Sequence, residues 1–117
     1  GGVAIFRVSG ELDLRDAPKL RERLLARATG ERPNAVVSVA ELRYIDSAGL
    51  GALVAAMKAY TRLGGKLLLA GPRAEVKHIL QITRLMQHFP VHETEAGALG
   101  ALGAGSGGEV DPRSETR

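Results

Sequence analysis

The hydrophobic pattern of this chain alternates between short apolar runs and longer amphipathic segments. Residues 3–8 (VAIFRV) form a β-prone run that Ser9-Gly10 closes. Residues 35–39 (AVVSV) and 66–70 (KLLLA) are two more apolar runs of strand length. A fourth, short edge strand is predicted to begin at Pro90-Val91. The pattern therefore predicts about four strands.

Between these runs, apolar residues recur at three- and four-residue steps, which is typical of amphipathic helices. The first helix follows Asp16, which we expect to cap it. The second begins at Ser47, after a connection over residues 42–46, and ends around Leu63. A third helix is predicted around residues 76–83, and a short one follows the fourth strand.

Strands that alternate with helices are joined by right-handed crossovers and lie parallel to their neighbours. We therefore expect an α/β domain with a mixed, mostly parallel sheet of about four strands. Residues 1–102 should form this one domain, since 117 residues suffice for one small core but not for two. Residues 103–117 are rich in glycine and then in charge, which predicts a disordered tail or a linker.

Composition excludes several classes of function. Aromatic residues make up 3 % of the chain, and the basic residues behind the net charge of +3 are spread along it, so we expect no nucleic-acid binding. No apolar stretch approaches the ~20 residues that a membrane-spanning helix needs, so we expect no direct membrane insertion. The absence of cysteine fits a reducing, cytoplasmic location.

The segment YIDSAGLG, residues 44–51, carries the main candidate for chemistry, a serine beside an acid. A hydrolase nucleophile needs the frame G-x-S-x-G, but Ile45 stands where the first glycine belongs. His78, His88 and His92 come later, and none has an acid at a diagnostic spacing. The pattern thus disfavours an enzyme, although a catalytic role of Ser47 remains an open interpretation.

Cofactor and metal sites have no recognisable motif. Neither a phosphate-binding loop nor a dinucleotide fingerprint is present, so we expect no cofactor. His88 and His92 would share a helical face only if a helix continued through Pro90, which breaks it. We therefore interpret these histidines as surface residues and expect no metal.

A structural role for Ser47 is that of the helix N-cap, a position that serine and aspartate both favour. That role does not explain Gly49 and Gly51 in the first turns, where each glycine costs about 1 kcal/mol relative to alanine. Glycine at these places flattens the surface and lets another backbone approach. A hydroxyl meant for modification at a contact surface is the third interpretation.

The segment YIDSAGLGAL resembles the phosphoacceptor motif of STAS domains, the anti-sigma factor antagonists of bacteria. VSGELDLRDAPKLRERL resembles the G-E-L-D segment and following helix of the same family, and YTRLGGKLLLAGPRAEVKHILQITRL its later strand and helix. The resemblance runs from about residue 3 to residue 96, in the family's order, and implies a STAS-like fold.

The resemblance implies a protein–protein switch. The antagonist would bind an anti-sigma factor that is also a serine kinase of the ATPase type, and phosphorylation of Ser47 would end binding until a phosphatase resets it. The residues implied in partner binding are Asp13, Asp46, Ala48, Gly49 and Gly51. Because Asp13 and Ser47 should both follow strand ends, we expect them at one edge of the sheet.

Two departures from the family pattern leave an alternative open. The strand that usually precedes the one at Val3 is missing or truncated, and Ser38 stands where the family typically has an aspartate. We expect this loss of an acid to alter the pocket around Ser47. The alternative function is a STAS module that acts as a scaffold or accessory subunit in a stress-signalling complex, for a transporter, or within a larger regulatory chain.

Overall fold

Five parallel strands form one sheet in the computed structural model, which describes residues 2–103 and the backbone of residues 109–110. The strands are β1 (Val3–Leu12), β2 (Asn34–Ile45), β3 (Lys66–Ala70), β4 (Val91–His92) and β5 (Glu109–Val110). Their order is β4-β3-β2-β1-β5, and each neighbouring pair is parallel. The predicted α/β fold is confirmed, with an all-parallel rather than a mixed sheet among the described pairs.

Within the described residues, four α-helices pack on this sheet: α1 (Ala17–Ala26), α2 (Ser47–Arg62), α3 (Ala74–Ile82) and α4 (Glu95–Ala101). A 3₁₀ turn at Leu85–Gln87 leads into β4. Strands β1 to β4 follow one another in a single direction, so right-handed crossovers place α1, α2 and α3 on the same face. The chain then steps back past β1 to β5, which places α4 on the opposite face.

The two faces of the sheet bury unequal cores. Under α1–α3, the large buried side chains include Phe6, Leu20, Leu53 and Tyr60, and the Tyr60 hydroxyl donates to the Leu24 carbonyl at 2.9 Å. The smaller core lies under α4, and its buried residues are Val3, Ile5, Val36, Leu68, Ala70, Ala98 and Leu99. Helix α4 has seven residues, and among the described elements nothing else covers the rest of this face.

Two strands are longer than the hydrophobic pattern predicted. β1 continues past Ser9-Gly10 to Leu12, and β2 continues to Ile45, so residues 42–45 of the predicted connection belong to a strand. The register shifts twice, on either side of Gly10, which has a φ of +73°. Glycine adopts this left-handed conformation without strain, so the strand can bulge and continue to pair with β2. At the bulges, the side chains no longer alternate regularly between the two faces of the sheet.

Asp16 holds the predicted N-cap position of α1, but its side chain makes no capping hydrogen bond. Its backbone is helical (φ −100°, ψ −22°), whereas a capping residue is normally extended. The chain turns instead on the Asp13 carbonyl, which accepts from the backbone N–H groups of Asp16 at 3.1 Å and Ala17 at 2.8 Å. The prediction of a side-chain cap at Asp16 is wrong.

The predicted tail lies mostly outside the described residues, which omit 104–108 and 111–117. Within it, Glu109–Val110 form β5, a strand that the sequence did not predict, paired with Ala4 and Ile5 of β1. The boundary between residues 102 and 103 stays a prediction. Among the described residues, β1 is the first strand, and no helix has the length and apolar character to cross a membrane.

Candidate functional site

The ends of β1 and β2 bring the candidate residues together. Leu12 and Ile45 are register partners, and the backbone N–H of Asp46 donates to the Leu12 carbonyl at 3.2 Å. Asp13 and Ser47 therefore leave neighbouring parallel strands at the same edge of the sheet, as the sequence predicted.

Ser47 is the first residue of α2 and is exposed to solvent. The N-cap is Asp46, whose extended backbone (φ −107°, ψ −174°) directs a carboxylate oxygen to accept from the backbone N–H of Gly49 at 3.0 Å. The interpretation of Ser47 as the cap is wrong, because the aspartate before it has that role. Ser47 is thus exposed at the start of α2, and its side chain does not cap the helix.

The two glycines of α2 have different environments. A Cβ atom on Gly49 would lie 2.5 Å from the Leu12 carbonyl oxygen and 2.8 Å from Cγ1 of Ile45, so this glycine lets α2 pack closely on the chain's own strand ends. A Cβ on Gly51 would meet nothing within 4 Å, and Gly51 is exposed. The backbone that approaches Gly49 is therefore that of Leu12 in the same chain, and not that of a partner. Only Gly51 offers an open surface to a partner.

Asp13 is fixed by its neighbour in the loop after β1. Its carboxylate accepts from the backbone N–H of Arg15 at 3.0 Å and from the Arg15 guanidinium at 3.2 Å. The side-chain hydrogen bond from Arg15, followed by the backbone one, holds the pKa of Asp13 below its ordinary value. The carboxylate is therefore ionised at neutral pH, with a cation beside it.

Exposed apolar residues that the sequence did not single out flank the site. Leu14 is 72 % exposed and Tyr44, three residues before Ser47, is 50 % exposed. A groove of about 240 Å³ runs between α1 and α2, and its lining residues are Leu14, Ala17, Pro18, Arg21, Ala48, Gly51, Ala52 and Ala55. In the sequence, the one indication of this surface is Leu14, an apolar residue between charged neighbours. We refer to Leu14, Ser47, Ala48 and Gly51 as the Ser47 surface.

His88 and His92 lie in a different groove from the Ser47 surface. His88 and His92 line a separate groove beside β3, together with Met57 and Thr61. In the part of the chain that the structure describes, no group of three or more histidine or acidic residues could hold a metal ion.

Ser38 lies in the middle of β2, paired with Arg7 and Ala70, and not at the end of the strand. It precedes Ile45 by seven residues, roughly 23 Å at about 3.3 Å per residue. Its side chain lines a cleft that does not include Ser47. The expectation that Ser38 alters the pocket around Ser47 is therefore wrong, because residues 39–45 of β2 lie between them.

Removing the Asp46 cap should destabilise the domain measurably. Asp46→Ala leaves the Gly49 N–H without its acceptor and should lower the free energy of unfolding by about 0.5–2 kcal/mol. Asp46→Asn keeps an acceptor oxygen and should lose less. Urea unfolding of both variants checks this, and an equal loss in the two would show that the cap hydrogen bond is not the cause.

Comparisons with known proteins identify the family of this chain. The family model for the STAS domain matches residues 1–98. A relative named anti-sigma F factor antagonist, from Paenibacillus polymyxa, is 29 % identical over 102 residues, which cover 86 % of this chain and 87 % of the relative.

Two solved structures share the fold at low identity. An anti-sigma-factor antagonist (STAS) domain protein from Planctomyces limnophilus has a TM-score of 0.72 at 20 % identity, covering 79 % of this chain and 80 % of its own. The STAS domain of a SulP transporter from Vibrio cholerae has a TM-score of 0.69 at 16 % identity, covering 86 % and 80 %. With the family model spanning most of its length, this chain belongs to the STAS domain family.

Proposed function

We propose that this protein is an anti-sigma factor antagonist whose Ser47 surface binds an anti-sigma factor with serine kinase activity. Phosphorylation of Ser47 ends that binding, and a phosphatase restores it. The observation that carries the proposal is the exposed Ser47 hydroxyl at the first position of α2, where Asp46 supplies the cap. The name of the Paenibacillus relative supports the class of partner.

The surroundings of Ser47 suit a phosphoacceptor. Phosphoryl transfer depends mainly on positioning and on charge stabilisation, which the kinase and its magnesium nucleotide supply. The acceptor has only to present an accessible hydroxyl on a rigid element. Ser47 does so at the start of a 16-residue helix that Gly49 anchors against Leu12.

A phosphate at Ser47 would be compatible with the fold and incompatible with a close interface. It would add a charge of about −1.5 to −2, which the N–H groups and dipole at the start of α2 tolerate. A partner seated on Leu14 and Gly51 would have to bury that charge against an apolar surface, at a high desolvation cost. Binding is therefore lost while the domain stays folded.

The experiment is phosphorylation in vitro. The anti-sigma factor is captured from cells of the native organism with the purified chain, identified, and then incubated with the chain and ATP. We expect one phosphate, located on Ser47 by mass spectrometry, and none on a Ser47→Ala variant.

Ser38→Ala is the matched control, since Ser38 is a half-buried serine of the same domain and its removal should leave phosphorylation intact. Phosphate on another residue would contradict the proposed switch. Capture of a stable complex that ATP neither modifies nor dissolves would favour the scaffold or accessory subunit instead.

A further inference from the structure

A second cleft, of about 500 Å³, lies on the sheet face opposite α1–α3. Its polar lining residues come from β1, β2 and the segment after β3, and they are Arg7, Ser9, Ser38, Glu41, Arg43 and Arg73. The Ser47 surface contributes no residue to it. The proposed binding of an anti-sigma factor at the Ser47 surface therefore does not use this cleft.

The cleft exists because α4 covers only part of its face. Helix α4 shares its core with Ile5 and Val36, which are buried. Two residues further along each strand the same face carries Arg7, which is exposed, and Ser38, which is half-buried. Polar residues at these positions mark a face built for contact with solvent or a ligand and not for a covering helix.

Arg7 anchors one side of the cleft. Its guanidinium donates to the two carboxylate oxygens of Glu95, the first residue of α4, at 3.0 and 2.8 Å. These hydrogen bonds hold the pKa of Glu95 below its ordinary value. The pair fixes the orientation of Arg7 and balances its charge, so the net charge of the cleft depends on the remaining residues.

The other two arginines are poorly neutralised. Within the described residues, Arg43 makes no ion pair, and Arg73 lies 4.0 Å from a Glu75 carboxylate oxygen, with both side chains well exposed. Glu41 is the carboxylate that lines the cleft itself. Among the described residues that line the cleft, Arg43 and Arg73 thus outnumber Glu41 and leave a positive surplus.

We propose that this cleft binds a phosphate group, free or as the monoester of a small molecule. Guanidinium groups donate paired hydrogen bonds that match phosphate oxygens, and Ser38 lines the same cleft. The volume lies in the ~300–1,000 Å³ range of small-molecule sites.

Binding should respond with opposite signs to two neighbouring substitutions. Arg43→Met removes a donor and should weaken phosphate binding about ten-fold, whereas Glu41→Gln removes a repelling charge and should tighten it several-fold. Arg62→Met is the matched control, because Arg62 is an exposed arginine at the end of α2 and outside the cleft. Ser47→Asp should bind phosphate as the wild type does, which separates this site from the proposed switch.

The test is a titration of the full chain, followed by the amide chemical shifts of Ser9, Gly10 and Ser38 in NMR spectra. Inorganic phosphate and glycerol 3-phosphate are the two probes, and sodium chloride at matched ionic strength is the reference. Saturable shifts with either phosphate, weakened in Arg43→Met and not in Arg62→Met, would support the site. Tighter binding of the ester would assign it to a phosphorylated small molecule, and equal binding to the phosphate group alone.

Shifts no larger than those with chloride would overturn the proposal. Equal weakening in Arg43→Met and Arg62→Met, or weaker binding by Glu41→Gln, would do the same. The amide spectrum of each variant before titration shows that it is folded, so a loss of binding cannot be a loss of structure.

Discussion

Replacing Ser47 with aspartate should lower the affinity for the anti-sigma factor by about ten-fold or more, whereas Ser47→Ala should bind as the wild type does and stay bound in the presence of ATP. Aspartate places a negative charge on an exposed surface next to Gly51, where a partner can approach closely. Burying a charge without a partner across an interface costs several kcal/mol. Alanine removes the acceptor oxygen and keeps the shape.

Neither substitution should harm folding. Asp46 keeps the cap in both variants, since its hydrogen bond goes to the Gly49 N–H and does not involve the Ser47 side chain. An aspartate in the first turn of α2 even gains about 0.3–1 kcal/mol from the helix dipole. The aspartate variant should therefore unfold at the same or a slightly higher urea concentration while it binds more weakly.

Titration calorimetry with the purified partner measures the two affinities. Gln81→Glu is the charge-matched control, because it adds one negative charge at an exposed position of α3. Equal weakening by Ser47→Asp and Gln81→Glu would assign the effect to net charge. Equal binding by the wild type and both Ser47 variants would rule out Ser47 as the switch.

The part of β2 that the hydrophobic pattern predicted is the part that helices cover on both faces of the sheet. Val36 and Val37 face opposite cores, so residues 35–37 are apolar in succession and indicate a strand. Beyond that run, α4 no longer covers the second face, polar residues enter the strand, and the bulges around Gly10 break the alternation. The last third of β2 therefore looked like a loop, and this error placed Ser38 at the end of the strand.

The candidate site was predictable in position and not in its details. The change of hydrophobic period at Ser47 correctly indicated the helix start, but aspartate and serine cap equally well, so composition could not decide between two adjacent residues. Only the extended backbone of Asp46 does so. Leu14 was missed because a single apolar residue in a loop has no period, and its exposure depends on how the turn at Asp13 is closed.

Gly49→Ala and Gly51→Ala should change stability in opposite directions, although the two glycines lie two residues apart in one helix. A methyl group on Gly49 would overlap the Leu12 carbonyl oxygen, which belongs to the backbone and also accepts from Asp46, so the strand ends must shift. Overpacking of this kind costs about 1–3 kcal/mol of unfolding free energy. A methyl group on Gly51 meets open space, and alanine favours the helix by up to about 1 kcal/mol.

Urea unfolding of the two variants and the wild type measures both effects, and a shift of both variants in the same direction would contradict the packing that we describe for Gly49.

The pair also separates stability from binding. Gly51→Ala should be the more stable protein and yet bind the anti-sigma factor less tightly, because its new methyl group protrudes from the Ser47 surface where the partner approaches. Gly49→Ala should bind less tightly only to the extent that the start of α2 is displaced. If Gly51→Ala gained stability and lost no affinity, the partner would contact the domain elsewhere, and the open surface at Gly51 would not belong to the interface.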